Sequence, residues 1–251
     1  MRIVLLVCAM FLFSTAAVMA GRNISAGALT ADQIAGRNVS ARGGAAAWRA
    51  VRSMALSGKI EADGRPNLEL PFVLYLKRPR KARIELQFQG RTTVQAYNGN
   101  NGWKLRPSPG GHEVEPYTPD ELNEASSDTD LDGPLVDYAA KGTKVELQGT
   151  EDVEGHDAYR LKLTLKNGDV QHVWVDALTF LDVKVDGSPR RLDGVLHPVA
   201  TYYRDYRSVQ GLMIPYVYET AVEGIPQTEK ITIVNVVLNP ELDDSLFEKF
   251  E

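Results

Sequence analysis

The chain has 251 residues, 43% of them hydrophobic, and a formal net charge of −5. This composition is that of an ordinary globular protein, and a mildly acidic chain without a basic run excludes nucleic acid and anionic membrane surfaces as expected partners. The single cysteine, Cys8, leaves no disulfide scaffold, thiol chemistry or cysteine-based metal site to be expected in the rest of the chain.

Residues 1–20 have the features of a secretion signal. Arg2 supplies a short basic start, residues 3–13 are almost entirely apolar, and Ala20 is a small residue suited to the cleavage point. The apolar run is shorter than the ~20 residues that span a bilayer, which argues against a transmembrane anchor. We therefore expect cleavage after Ala20 and a mature protein in the periplasm.

The mature chain is expected to begin with a flexible stretch over residues 21–29 and to form one domain over residues 30–251. Thr30–Gln33 has the residues of a capping box and predicts the start of a helix. Gly43-Gly44 should end this helix before a shorter alanine-rich turn through Arg49. About 230 residues without an internal repeat are commonly organised as one domain in all-β proteins.

From residue 53 onwards, apolar and polar side chains alternate in many short segments, a pattern typical of strands with one buried face. Asn167-Gly168 predicts a two-residue hairpin turn. Roughly a dozen strands at regular spacing predict an antiparallel sandwich or barrel. The predicted strands are 56–61, 72–77, 84–89, two within 94–107 joined by an Asn/Gly turn, 145–148, 159–166, 170–175, 179–185, 199–206, 213–220 and 230–236.

Two helices are predicted to interrupt this run of strands. Thr118–Glu121 is a second capping box, with Pro119 at the first helical position, and predicts a helix to about Ser126. Residues 134–141 predict another helix that ends at Gly142. Helices inserted midway through a curled sheet must pack on something, so we expect them on its concave face.

The order of these elements resembles the LolA-like family of outer-membrane lipoprotein-sorting proteins. The resemblance is carried by the strand that ends at Lys77-Arg78-Pro79, by the hairpin of residues 97–103, and by the segments 132–138 and 163–168, and it extends over most of the mature chain. It implies a mainly β protein with a few α-helices. The fold would be an incomplete, unclosed antiparallel β-barrel of about eleven strands, with an α-helical lid over an apolar cavity.

The resemblance also implies a role for Arg78, which falls at the position of an arginine that hydrogen-bonds the lid and keeps the empty cavity closed. A guanidinium group has five N–H donors in a fixed fork and can bridge several carbonyl groups. The alternative is an ordinary exposed arginine at a strand end, next to Pro79, Arg80 and Lys81.

Apolar stripes on the strands are predicted to line the cavity, because residues of equal parity share a face of a strand. A place in a filled core is the alternative for each of them. Aromatic surface is expected from Tyr202, Tyr206, Tyr216 and Tyr218. The predicted cavity residues are Phe72, Leu74, Leu76, Ile84, Leu86, Phe88, Trp103, Leu161, Leu163 and Leu165.

The expected function is a periplasmic shuttle for acylated ligands, lipoproteins above all, with no cofactor and no catalysis. Its partners would be lipoprotein acyl chains or other lipids, an inner-membrane release complex and an outer-membrane receptor. Two alternatives remain open: a module of the same fold for lipid binding, protein interaction or envelope sensing outside lipoprotein transport, and an enzyme with an unrecognised site.

Metal and catalytic motifs are weak. Asp128–Gly133 imitates the opening of an EF-hand loop, but the twelfth position, where a bidentate glutamate is needed, is Ala139. The four histidines are scattered, and neither a His-Glu-x-x-His helix nor a Gly-x-Ser-x-Gly elbow is present. Calcium binding and hydrolysis are therefore not favoured.

Overall fold

The computed structural model describes residues 29–61, 69–108, 111–128, 131–192 and 194–249. The predicted signal peptide and flexible N-terminus lie outside the described residues. Within the described part, no helix is long and apolar enough to cross a membrane.

The described helices are α1 (Ala31–Ala41), α2 (Ala45–Ala50), α3 (Pro119–Asp128) and a short 3-10 helix at Asp244–Phe247. The capping box before α1 is confirmed: the Thr30 hydroxyl accepts a hydrogen bond from the Gln33 amide at 3.2 Å, and the Gln33 side chain accepts one from the Thr30 amide at 2.9 Å. Gly43 and Gly44, with φ of 106° and 91°, turn the chain sharply between α1 and α2.

The described strands form one antiparallel sheet of thirteen strands. Across the sheet the order is β6-β5-β4-β3-β2-β1-β13-β12-β11-β10-β9-β8-β7, so β6 and β7 are its edges and strand pairing leaves it unclosed. The strands are β1 (Ser53–Glu61), β2 (Glu69–Lys77), β3 (Lys81–Phe88), β4 (Arg91–Tyr97), β5 (Gly102–Ser108), β6 (Gly111–Pro116), β7 (Lys144–Val153), β8 (His156–Thr164), β9 (Val170–Asp176), β10 (Asp182–Leu192), β11 (Val195–Val209), β12 (Leu212–Val222) and β13 (Glu229–Leu238).

The expected count of about eleven strands is therefore too low. β6 was not among the predicted strands, because its residues Gly111–Pro116 have little apolar alternation. Residues 186–192 and 195–198, which lie between two predicted strands, instead extend β10 and β11 into a long hairpin. The turn at Asn167-Gly168 is also longer than predicted, since the last strand pair before it joins Thr164 to Val170.

The helix predicted over residues 134–141 is wrong. Residues 131–142 form successive turns instead, and we call them the cover segment. Gly133, Asp137 and Gly142 have φ of 77°, 54° and 81°, and residues in this left-handed region cannot continue a right-handed helix.

The two faces of the sheet differ, and the strand register identifies them, because directly opposed residues share a face. Leu56 pairs with Leu74 and Leu74 with Ile84, which defines the inner face. On the other half of the sheet, the same face carries Leu161 and Leu163.

Two hydrophobic clusters lie on the inner face. One is built mainly by β1, β2, β12 and β13, and the other by α1, β8, β9 and β10. Val136 belongs to the first cluster and Leu135 to the second, while Val39 of α1 packs against both. The cover segment and α1 thus bridge the two halves of the sheet.

Candidate ligand cavity and the residues that close it

Arg78, just beyond the end of β2, joins three parts of the chain. Its Nη2 donates to Oδ2 of Asp132 at 2.7 Å and lies 3.3 Å from the Trp48 carbonyl oxygen, while its Nε donates to the Val51 carbonyl oxygen at 2.9 Å. The guanidinium therefore ties α2 and the start of β1 to the cover segment. Its contact is with turns rather than with a helical lid, and its role as a latch remains a prediction.

Asp132 is the buried partner in this contact, with a side chain that is 4% exposed. Lys141 Nζ donates to Asp132 Oδ1 at 2.7 Å and to the Gly133 carbonyl oxygen at 2.9 Å. Burial alone would raise the pKa of Asp132, but the hydrogen bonds from Lys141 and Arg78 lower it below its ordinary value. The carboxylate is thus held ionised between two cations.

Arg42 forms a second buried link, at the end of α1. Its Nη1 donates to the Asp132 carbonyl oxygen at 2.9 Å, and its Nε lies 3.6 Å from Asp182 Oδ2. The same guanidinium stacks 4.7 Å above the Trp48 ring. One arginine thus connects α1, α2, β10 and the cover segment.

Asp182 is also buried, but it is less well paired than Asp132. Asn38 Nδ2 donates to Asp182 Oδ1 and to the Phe180 carbonyl oxygen, both at 2.9 Å. Burial raises the pKa of Asp182 in spite of Arg42 and Asn38. Apart from Arg78, the members of the two networks were not anticipated from the sequence, because most of their contacts join distant parts of the chain and share no motif.

Most predicted cavity residues are part of the packed inner face. Phe72, Leu161 and Leu163 are buried, and the half-buried members pack around them; these are Leu74, Leu76, Ile84, Leu86 and Leu165. Phe88 differs, being 49% exposed at the end of β3. Contact of these side chains with a ligand remains a prediction.

Trp103 lies on the other face of the sheet. Ile84 pairs with Gln95 and Gln95 with Lys104, so it is Lys104 that shares the inner face. Nζ of this 8%-exposed side chain donates to Glu121 of α3 at 2.8 Å, which places α3 against the inner face. Alternation along one strand shows which residues share a face, but not which face of the sheet it is. The face of Trp103 could be assigned only from the register of β4 and β5.

The predicted tyrosines also divide between the two faces. Tyr202 opposes Lys184, whose ammonium group lies 4.2 Å from the Trp174 ring on the outer side. Tyr218 is on the inner face, against Tyr203 at 5.4 Å between ring centroids. Asp205, which has a φ of 53° and lies between the paired residues Arg204 and Tyr206, interrupts the regular alternation of β11 without shifting its register against β12.

The Tyr206 side chain consequently reaches the network of α1. Its hydroxyl donates to the Asp182 carbonyl oxygen at 3.0 Å, and burial raises the pKa of Tyr206 well above its usual value. Tyr216, on β12, is buried in the first hydrophobic cluster.

A cavity of about 880 Å³ lies between the cover segment and the sheet. Its size is within the range of small-molecule sites. Gly133, Pro134 and Lys141 line it from the cover segment, and Leu165 is the predicted cavity residue that lines it. The cavity is also lined by Arg80, Lys166, Val185, Asp186 and Tyr203.

An apolar lining was expected, but the cavity is lined by charged, polar and apolar side chains. Most apolar side chains of the inner face instead pack against α1 and the cover segment. Asp186, a carboxylate of the lining, is 2.7 Å from His172 Nδ1. His172 opposes Lys162 on β8 and lies beside Trp174 of the outer face. Among the described residues, no group of three or more His, Cys, Asp or Glu side chains is close enough to hold a metal ion.

No protein-family model and no curated protein matches the chain. Its fold does match solved structures. A LolA superfamily protein from Nitrosomonas europaea is 16% identical, with a TM-score of 0.57 over 88% of this chain and 99% of that one.

Two further structures match to a similar extent. A DUF1329 family protein from Desulfovibrio piger is 16% identical, with a TM-score of 0.59 over 88% of this chain and 98% of its own. An outer membrane lipoprotein-sorting protein domain from Vibrio parahaemolyticus is 14% identical, with a TM-score of 0.58 over 86% and 95% of the two chains. This chain therefore has a LolA-like fold.

Proposed function

We propose that this protein is a periplasmic carrier that binds acylated ligands, lipoproteins or free lipids, beneath the cover segment and performs no reaction. The observation that carries the proposal is the cavity between the inner face and a segment without regular secondary structure. The similarity of fold to a lipoprotein-sorting domain supports it by analogy.

The cover segment is suited to opening. It has no strand or helix ladder and is held by the side chains of Leu131, Leu135 and Val136 and by the ion pairs of Asp132 and Asp137. Its displacement would expose the buried leucines of the inner face. Acyl chains that replace it there are worth ~0.8 kcal/mol per buried methylene.

Arg78 would control this opening. It binds the buried Asp132 carboxylate while its guanidinium also holds the carbonyl groups of Trp48 in α2 and of Val51 at the end of α2, so it fixes the closed position. Loss of that contact should favour the open form. Delivery in the cell would require export by residues 1–20, release at the inner membrane and a receptor at the outer membrane.

The first experiment identifies what the protein carries. Protein purified from the periplasm without detergent is extracted with organic solvent, and the extract is analysed by mass spectrometry. Stoichiometric phospholipid or lipoprotein acyl chains are expected. Empty extracts from folded protein that also fails to bind a fluorescent fatty acid would reject the proposal and favour a protein-interaction module.

The second experiment tests the latch. Arg78→Leu should leave the fold intact and change the rate at which a fluorescent fatty acid is transferred to acceptor vesicles. Arg49→Leu is the matched control, because Arg49 also pairs with the cover segment, through Asp137, but at an exposed position. Equal transfer rates in wild type and both variants would remove Arg78 from the mechanism.

A further inference from the structure

The charged residues of the cavity are mainly cationic. Arg80, Lys141 and Lys166 line it, against the one carboxylate of Asp186 in its described lining. Asp186 is already paired with His172 at 2.7 Å. This excess of positive charge runs against the net charge of −5 of the whole chain.

Lys166, just beyond the end of β8, lies against the end of the cover segment at the rim of the cavity. The side-chain carbons of Lys166 lie 3.3 Å from the position that a Cβ on Gly142 would take, next to Lys141. Lys141 is engaged by Asp132, whereas exposed Lys166 takes part in none of the ion pairs found among the described residues. A positive charge is thus available beside the cover segment.

The opposite wall provides apolar and hydrogen-bonding surface. Leu165, Val185 and Tyr203 come from the sheet side, and Leu165 directly precedes Lys166. A ligand that matches both the cationic side and the apolar wall of the cavity has an apolar chain and a negatively charged group that reaches the ammonium groups.

We propose that the cavity binds an amphiphile with an anionic head, a phosphate or a carboxylate, and that Lys166 contacts this head at the rim while the chain lies against Leu165, Val185 and Tyr203. This inference deepens the proposed function and rests on it. It adds selection by head-group charge to the binding of acyl chains.

The test compares two probes that differ only in the phosphate group: a lysophosphatidic acid and the monoacylglycerol with the same acyl chain, both below their micelle concentrations. Binding is measured by displacement of a fluorescent fatty acid from the lipid-free mature protein. A single charge-assisted hydrogen bond predicts at least about tenfold tighter binding of the phosphate lipid.

Lys166→Gln should reduce this preference by about tenfold, and Lys166→Glu should reduce it further. Lys144→Gln is the control, because Lys144 is an exposed lysine outside the cavity lining, on β7. If Lys166→Gln prefers the phosphate lipid over the monoacylglycerol as strongly as Lys144→Gln does, Lys166 is not the residue that contacts the head.

Equal binding of the two lipids would overturn the selection by charge while leaving the carrier function intact. Failure to bind either lipid would instead reject the carrier function itself. Glycerol 3-phosphate and inorganic phosphate test the head alone: displacement by either at the concentration of the lipid would show a phosphate site and overturn the amphiphile proposal.

Discussion

At the scale of single residues, Asp132 is the most consequential polar side chain of the closed molecule. It is 4% exposed and pairs at 2.7 Å with both Arg78 and Lys141, whose side chains are 35% and 26% exposed. Removing one member of a buried ion pair leaves uncompensated charge, but partial exposure of the two cations reduces that penalty.

We therefore expect Asp132→Asn to lower the free energy of unfolding by about 1–3 kcal/mol. Urea unfolding followed by tryptophan fluorescence provides the measurement. Asp137→Asn removes a carboxylate from the same segment, but one that pairs with exposed Arg49, and should have a much smaller effect. An equal decrease in the free energy of unfolding for the two variants would show that the ion pairs of Asp132 stabilise the protein no more than the exposed pair of Asp137.

The pH dependence of this difference follows from the lowered pKa of Asp132. The stabilisation by Asp132 is present above its unfolded pKa of about 3.9 and is lost as pH falls through the lower folded value. The gap in unfolding free energy between wild type and Asp132→Asn should thus be constant near neutral pH and shrink below about pH 4. A gap unchanged at about pH 3 would contradict it.

The comparison with a variant is needed because Asp182 acts with the opposite sign. Its pKa is raised by burial, so its contribution is present below the unfolded pKa and lost as pH rises through the folded one. The pH profile of the wild type sums both effects, whereas the difference from Asp132→Asn isolates one of them.

At the scale of elements, the irregularity in the β1–β13 pair requires a glycine. A Cβ at Gly58 would lie 2.0 Å from the Thr232 carbonyl oxygen, where the register shifts between Ser57 and Gly58. Gly58→Ala should lower the free energy of unfolding by about 1–3 kcal/mol, since backbone must move to accommodate the methyl group.

Gly36→Ala is the control for that substitution. Gly36 lies within α1 with nothing within 4 Å of the added Cβ, so the alanine should stabilise the protein by about 0.5–1 kcal/mol through its better helix propensity. Thermal unfolding monitored by circular dichroism measures both variants. A Gly58→Ala protein as stable as wild type would show that β1 and β13 can separate at this point at little cost.

Local sequence signals predicted most elements and few of the contacts that matter at the cavity. The capping boxes and the β alternation reflect short-range rules, so α1, α3 and most strands were found. The cover segment was mistaken for a helix because its composition allows one, whereas Gly133 and Asp137 adopt turns that let Leu135 and Val136 reach different clusters. Packing overrode propensity there.

The site itself depends on long-range pairing. Arg78 was singled out through family resemblance, but its partner Asp132 lies 54 residues away and carried only a weak metal-loop signal. Trp103 and Tyr202 lie on the face opposite to the one expected, because the register between neighbouring strands decides which side a strand residue occupies. Lys166 had no distinguishing pattern in the sequence.

At the scale of the whole molecule, the cover segment should open as a unit at a lower free energy than the sheet. Each strand is held by ladders of backbone hydrogen bonds, whereas residues 131–142 depend on the buried side chains of Leu131, Leu135 and Val136 and on the ion pairs of Asp132 and Asp137. Such a segment exchanges its amide hydrogens through local opening, independent of global unfolding.

Hydrogen exchange with mass spectrometry tests this in lipid-free protein. Peptides of the cover segment should exchange faster than those of β1 and β8, and Arg78→Leu should accelerate exchange in the cover segment while leaving the two strands unchanged. Arg49→Leu, whose pair with Asp137 is exposed, should behave as wild type. If cover and strand peptides instead exchange together in all three proteins, the cover segment opens only when the sheet unfolds. A carrier in which Arg78 controls access to the cavity requires the first of these two patterns.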